Sequence, residues 1–188
     1  MISFIGNRPA LQIGSHQVLD YDTAWLKEAI LRAARAADHG EFPLVDEVKC
    51  GVELYLEHKC ALRLLQLEDL FERIKQMLVE IGCKTIAEKL QPLAPPVTIS
   101  LIRAAQAAGN GFELAFFETL RGELCELHRA GAENIHFTGL RESALILSGR
   151  EKWDKHSDRM LSEIQDFLKA CDRDSKADSP SLRLSVEA

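Results

Sequence analysis

The chain has 188 residues, 46% of them hydrophobic and 28% charged, with a formal net charge of −6: room for one medium domain or two small ones of ordinary globular composition. The acidic balance excludes a broad basic surface for nucleic acid, and no apolar run reaches the roughly 20 residues that cross a bilayer, so no membrane span is expected. The opening MISFIGNRPALQIG lacks the basic and apolar regions of a signal peptide, and Cys50, Cys60, Cys83, Cys125 and Cys171 stand singly with no C-x-x-C pair, which together point to a cytoplasmic protein with free thiols.

Residues 1–21 alternate apolar and polar positions in the pieces ISFI, ALQIG and QVLDY, with turn residues at Gly6–Pro9 and Gly14–His16 between them. A hairpin or a three-strand meander is predicted. Four helices follow. The first begins at Asp22, whose carboxylate can cap the opening N–H groups. It carries Trp25, Leu26, Ala29, Ile30, Ala33 and Ala37 on one stripe. The second opens with Pro43, tolerated in a first turn, and its buried face is Val45, Val48, Val52 and Tyr55 or Leu56. The third runs over 67–81 with Leu67, Leu70, Phe71, Ile74, Met77, Leu78 and Ile81 inward, and Gly82 as its left-handed stop. A short fourth carries Ile86, Ala87 and Leu90.

The run QPLAPP, residues 91–96, cannot continue a helix. It separates a helical domain, 1–91, from a small second domain, 97–172, through a linker at 92–96. VTISLIR, 97–103, is β-branched and reads as a buried strand, but RAAQAAG is helix-prone, so the segment 97–108 stands open between strand and helix. FELAFFETLRGELCELHRA, 112–130, is an amphipathic helix. NIHFT, 134–138, and SALIL, 143–147, read as strands joined by GLRE, and a last helix runs near 156–171. The order β-α-β-β-α predicts a small layered sheet with its first two strands parallel. The tail 173–188 is polar and is expected to be disordered. The fold class is therefore α+β.

Tyr21–Asp22, Leu26, Ala29–Ile30, the helices 43–57 and 67–81, Gly82 and Ala87 together resemble an ATP-cone domain over residues 10–91. The resemblance implies a β-hairpin followed by a helical bundle, and a role in sensing ATP or dATP. That family carries a V-x-K-R-[DN]-G-R run in its first strand and turn, and a lysine three residues after the aspartate. Aligned on Tyr21–Asp22, this chain has Ile13 and Gly14 at the Lys-Arg pair, Gln17 at the second arginine and Trp25 at the later lysine. A triphosphate brings about four negative charges that such sites meet with charge-assisted hydrogen bonds. The copy is therefore degenerate, and no cofactor is expected. Arg8 and Lys27 are the nearby cations that substitute under a rival reading in which ATP or dATP binds. The glycine turn Gly109–Asn110–Gly111 ahead of a helix is the other anion candidate, although Glu113 and Glu118 stand close by.

His136 and Thr138 share one strand face, with Arg141 and Glu142 just beyond, which makes that polar face the place for a site if the protein is an enzyme. His58 and Cys60 lack the further spaced ligands of a zinc site. No Walker A run, nucleophile elbow or H-E-x-x-H is present. The leading expectation is a non-catalytic regulatory or scaffolding protein that acts through a protein partner or self-association, with no catalytic residues and no metal.

Overall fold

The computed structural model describes residues 8–40, 42–150, 152–178 and 183–186. The fold is α+β. It divides into two compact units, Met1–Pro95 and Pro96–Ala188, and the division falls inside the proline run. Among the described residues no helix is long and apolar enough to cross a membrane.

In the first unit, β1 (Ala10–Ile13) and β2 (His16–Val18) form the expected hairpin, with Leu11 opposite Val18 and Ile13 opposite His16. The ISFI segment lies outside the described residues. The third strand of this sheet comes instead from β3 (Leu64–Gln66), which pairs parallel with β1 in the order β2-β1-β3. Helix α1 (Ala24–Ala36) buries Trp25, Leu26, Ala29, Ile30, Ala33 and Ala34. Helix α2 (Val45–Leu54) continues into a π-helical turn at Tyr55–Lys59, closed by the Cys60 N–H donating to Tyr55 O at 2.8 Å. That turn places Leu56 in the core and leaves Tyr55 half-buried. Helix α3 (Leu67–Glu80) buries Leu67, Leu70, Phe71, Ile74 and Leu78, whereas Met77 is only half-buried and Ile81, just past the last helical residue, is exposed rather than inward. It ends at Gly82, φ 86°, where the Cys83 N–H reaches back to Leu78 O. The short α4 (Lys84–Lys89) closes the bundle with Ile86 and Ala87.

In the second unit the segment 97–108 resolves into both predicted states. Strand β4 (Val97–Ser100) passes directly into α5 (Leu101–Ala108). Helix α6 (Glu113–Arg129) and strand β5 (Asn134–Thr138) follow, with β4 and β5 parallel and Val97 opposite Ile135. The expected strand at 143–147 is a helix, α7 (Leu140–Ser148). Leu140, Ala144 and Leu147 are buried at helical spacing, and a five-residue apolar run is compatible with either period. The chain turns into α7 at Gly139, φ 74°, and the Ser143 hydroxyl donates to Gly139 O at 2.6 Å.

Over its described residues the tail also departs from expectation; positions 179–182 and 187–188 lie outside them. Helix α8 (Lys155–Asp178) runs past residue 173, and β6 (Arg183–Val186) pairs parallel with β5, so the sheet is all-parallel in the order β4-β5-β6. Its four residues hydrogen-bond to an edge that only the folded unit provides. Asp154 starts α8: its carboxylate accepts the N–H groups of His156 and Ser157 at 2.9 and 3.0 Å. Those bonds, the Ser157 one foremost, hold the Asp154 carboxyl below the ordinary aspartate range.

Candidate functional site

The corner where the hairpin meets α1 is built by short-range hydrogen bonds. The Tyr21 hydroxyl donates to Pro9 O at 2.8 Å and ties the end of the hairpin to its start. Burial pushes this phenol up to about 12, against the pull of the Arg8 guanidinium. The Asp22 carboxylate accepts the Ala24 N–H at 2.9 Å, and Asp22 O accepts Trp25 Nε1–H at 2.8 Å. The Trp25 ring is 6% exposed and tilts against Phe71 of α3 at a centroid distance of 6.1 Å. Leu11 and Ile13 on the inner side of β1 are wholly buried.

The rim of the corner is charged but internally matched. Asp46, Lys49, Glu53 and Glu57 recur every three or four residues along α2 and its π-helical turn, which places them on one face. The Glu57 carboxylate receives Arg8 Nε at 3.0 Å and Nη2 at 2.6 Å. Asp46 receives Lys27 Nζ at 2.6 Å, and Glu53 receives Lys49 Nζ at 2.9 Å together with the Thr23 hydroxyl. Thus Arg8 and Lys27 each hold a carboxylate of this unit. The Thr23 hydrogen bond first, then Lys49, hold the Glu53 carboxyl below the ordinary glutamate range, against the opposing effect of burial. A depressed folded-state pKa stabilises the unit above the unfolded value and loses that contribution as pH falls through the folded one. Stability should therefore drop on acidification below about pH 4.5, and Glu53→Gln should flatten the slope in urea melts collected from pH 6 downwards.

A separate hollow of about 510 Å³ lies between α2 with its π-helical turn and α3. Val52, Leu70, Ile74 and Met77 supply its apolar surface, and Lys59, Arg73 and Glu80 its charge. The Arg73 guanidinium lies 5.0 Å above the Tyr55 ring centroid. Burial, then hydrogen bonding with the Cys60 thiol, raises the Tyr55 phenol above its ordinary value. This hollow was not legible in the amino-acid order. Tyr55 and Arg73 are 18 positions apart, and each reads alone as an ordinary flank of an amphipathic helix.

Gly109–Asn110–Gly111 lies in the second unit, joining α5 to α6 rather than following a strand. The Asn110 carboxamide sits over Gly149 at the end of α7. The turn leads into Phe112 and Leu114, both largely exposed.

The expected polar cluster of the second unit is dispersed. His136 lies on the polar sheet face in one row with Thr98 and Ser185, and His136 Nδ1 is 2.8 Å from Ser185 Oγ. Thr138 is on the same face opposite Ser100. Arg141 is on α7, stacked 4.6 Å above the Trp153 ring centroid, and Glu142 is exposed beside it. Among the described residues no group of three or more His, Cys, Asp or Glu side chains is arranged to hold a metal ion.

Compared with models of protein families, with curated proteins and with solved structures, the chain matches none.

Proposed function

We propose that this is a non-catalytic regulatory or scaffolding protein, whose first unit is a degenerate ATP-cone-like module that works through contacts with a protein partner or a second copy of itself. The observation that carries the reading is the state of the hairpin–α1 corner. Trp25 fills its interior against Phe71, Ile13 is buried in the position aligned with a phosphate-binding lysine, and Arg8 and Lys27 hold Glu57 and Asp46. A triphosphate would have to displace two carboxylates and expel a buried indole before gaining any charge-assisted bond. The hairpin, the Tyr21–Asp22 corner and the four helices support the resemblance in fold, and a fold by itself does not specify a ligand.

A thermal-shift titration of the full chain with ATP, dATP and cyclic AMP tests this. No saturable rise in Tm is expected with any of them. A saturable rise would favour the rival nucleotide-responsive regulator, because a ligand that binds only the native state stabilises it by mass action. Arg8→Ala, Lys27→Ala and substitutions in 109–111 would then locate the site.

A further inference from the structure

The hollow between α2 and α3 has a chemistry of its own. Its floor is apolar, and its mouth sets two permanent cations, Lys59 and Arg73, against one carboxylate, Glu80. Elsewhere in this unit Arg8, Lys27, Lys49 and Lys75 each hold a carboxylate. Among the described residues neither Lys59 nor Arg73 forms such an ion pair. Arg73 is instead stacked on Tyr55 at 5.0 Å. Stacking engages the face of a guanidinium and leaves its planar N–H edge free for an acceptor in a fixed orientation. The volume of about 510 Å³ is that of a small-molecule site. The π-helical turn supplies Tyr55 and Lys59 to one wall, and such turns recur at functional sites.

We infer that this hollow binds a compact aromatic monoanion, with its ring on the apolar floor and its carboxylate or sulfonate on the Arg73 edge, supported by Lys59. The single excess positive charge suits one anionic group, and Glu80 repels a polyphosphate. The inference is independent of the reading of the hairpin corner, which involves other residues.

The test uses the full chain, with 2-naphthoate as the probe and its neutral carboxamide as the comparator, read by calorimetry and by NMR shifts. Saturable one-to-one binding of the acid is expected, with the amide about tenfold weaker, the loss of one charge-assisted hydrogen bond. Arg73→Gln should weaken the acid by about tenfold and leave the amide unchanged. Lys59→Gln should lower acid binding less, in the same direction. Arg63→Gln, exposed and outside the hollow, should change neither. If Arg73→Gln fails to fold by circular dichroism, the acid–amide ratio and Lys59→Gln decide the matter. Absence of saturable binding at millimolar probe, equal binding of acid and amide, or acid binding that Arg73→Gln and Lys59→Gln leave intact overturns the inference.

Discussion

Trp25→Ala should destabilise the first unit by about 3–5 kcal/mol, the usual loss when a large buried aromatic is cut back and the site only partly collapses. Trp25 is the bulkiest side chain at the junction of hairpin, α1 and α3, nearly wholly buried, and its ring lies against Phe71. Truncation also leaves Asp22 O without the indole donor, but Asp22 is exposed and water can replace that bond. The cavity therefore dominates the cost. Trp25→Phe separates the two contributions. It retains a ring against Phe71 and loses the Nε1–H bond, so a cost of about 1 kcal/mol is expected from the bond, with a further amount from the smaller ring. Urea melts followed by far-ultraviolet circular dichroism give both values. A loss below about 1 kcal/mol for Trp25→Ala would show that the corner does not depend on this side chain. Under the proposed function, the emptied corner still binds no ATP, because Arg8 stays on Glu57 and Lys27 on Asp46.

Gly139→Ala should cost the second unit about 2–5 kcal/mol, from backbone strain and overpacking together. Gly139 has φ 74° and ψ 33° at the point where β5 turns into α7. An alanine in that left-handed conformation loses about 1–2 kcal/mol. Its Cβ would also stand 2.5 Å from Ile102 Cγ1 and 2.7 Å from Cδ1 on α5, so the isoleucine must move within a packed interface, which costs about 1–3 kcal/mol. The two causes separate in a double mutant. Ile102→Ala removes the steric conflict and leaves the backbone strain. Gly139→Ala should therefore cost only about 1–2 kcal/mol in the Ile102→Ala background. An unchanged cost there would assign the whole effect to the backbone.

Some of this architecture was legible in the amino-acid order, because it depends on local periodicity. The stripes of α1, α3 and α6 repeat every three or four residues, and each helix can be read without knowing its neighbours. The β1–β2 hairpin is likewise local, since its turn at Gly14–Ser15 lies between strands that adjoin in sequence. The departures occur where pairing is remote. Strand β3 is three residues long, and its partner β1 lies some fifty positions earlier. Strand β6 exists only beside β5. SALIL fits either period, and the left-handed turn at Gly139 decides for a helix by sending the chain back against α5.

The candidate sites divide in the same way. The residue types at Ile13, Gly14 and Trp25 are those that stand, under the resemblance to an ATP-cone, where that family has cations, and Arg8 and Lys27 were identifiable as the charges nearby. That Glu57 and Asp46 take those charges, while Lys59 and Arg73 stay outside ion pairs among the described residues, was decided by the packing of α2 against its neighbours. Helical and strand periods are properties of consecutive residues, so the sequence by itself determined the β1–β2 hairpin, the long amphipathic helices and their apolar faces. Whether a cation meets a carboxylate, an aromatic ring or solvent depends on side chains far apart in the chain, and only the tertiary structure decided it.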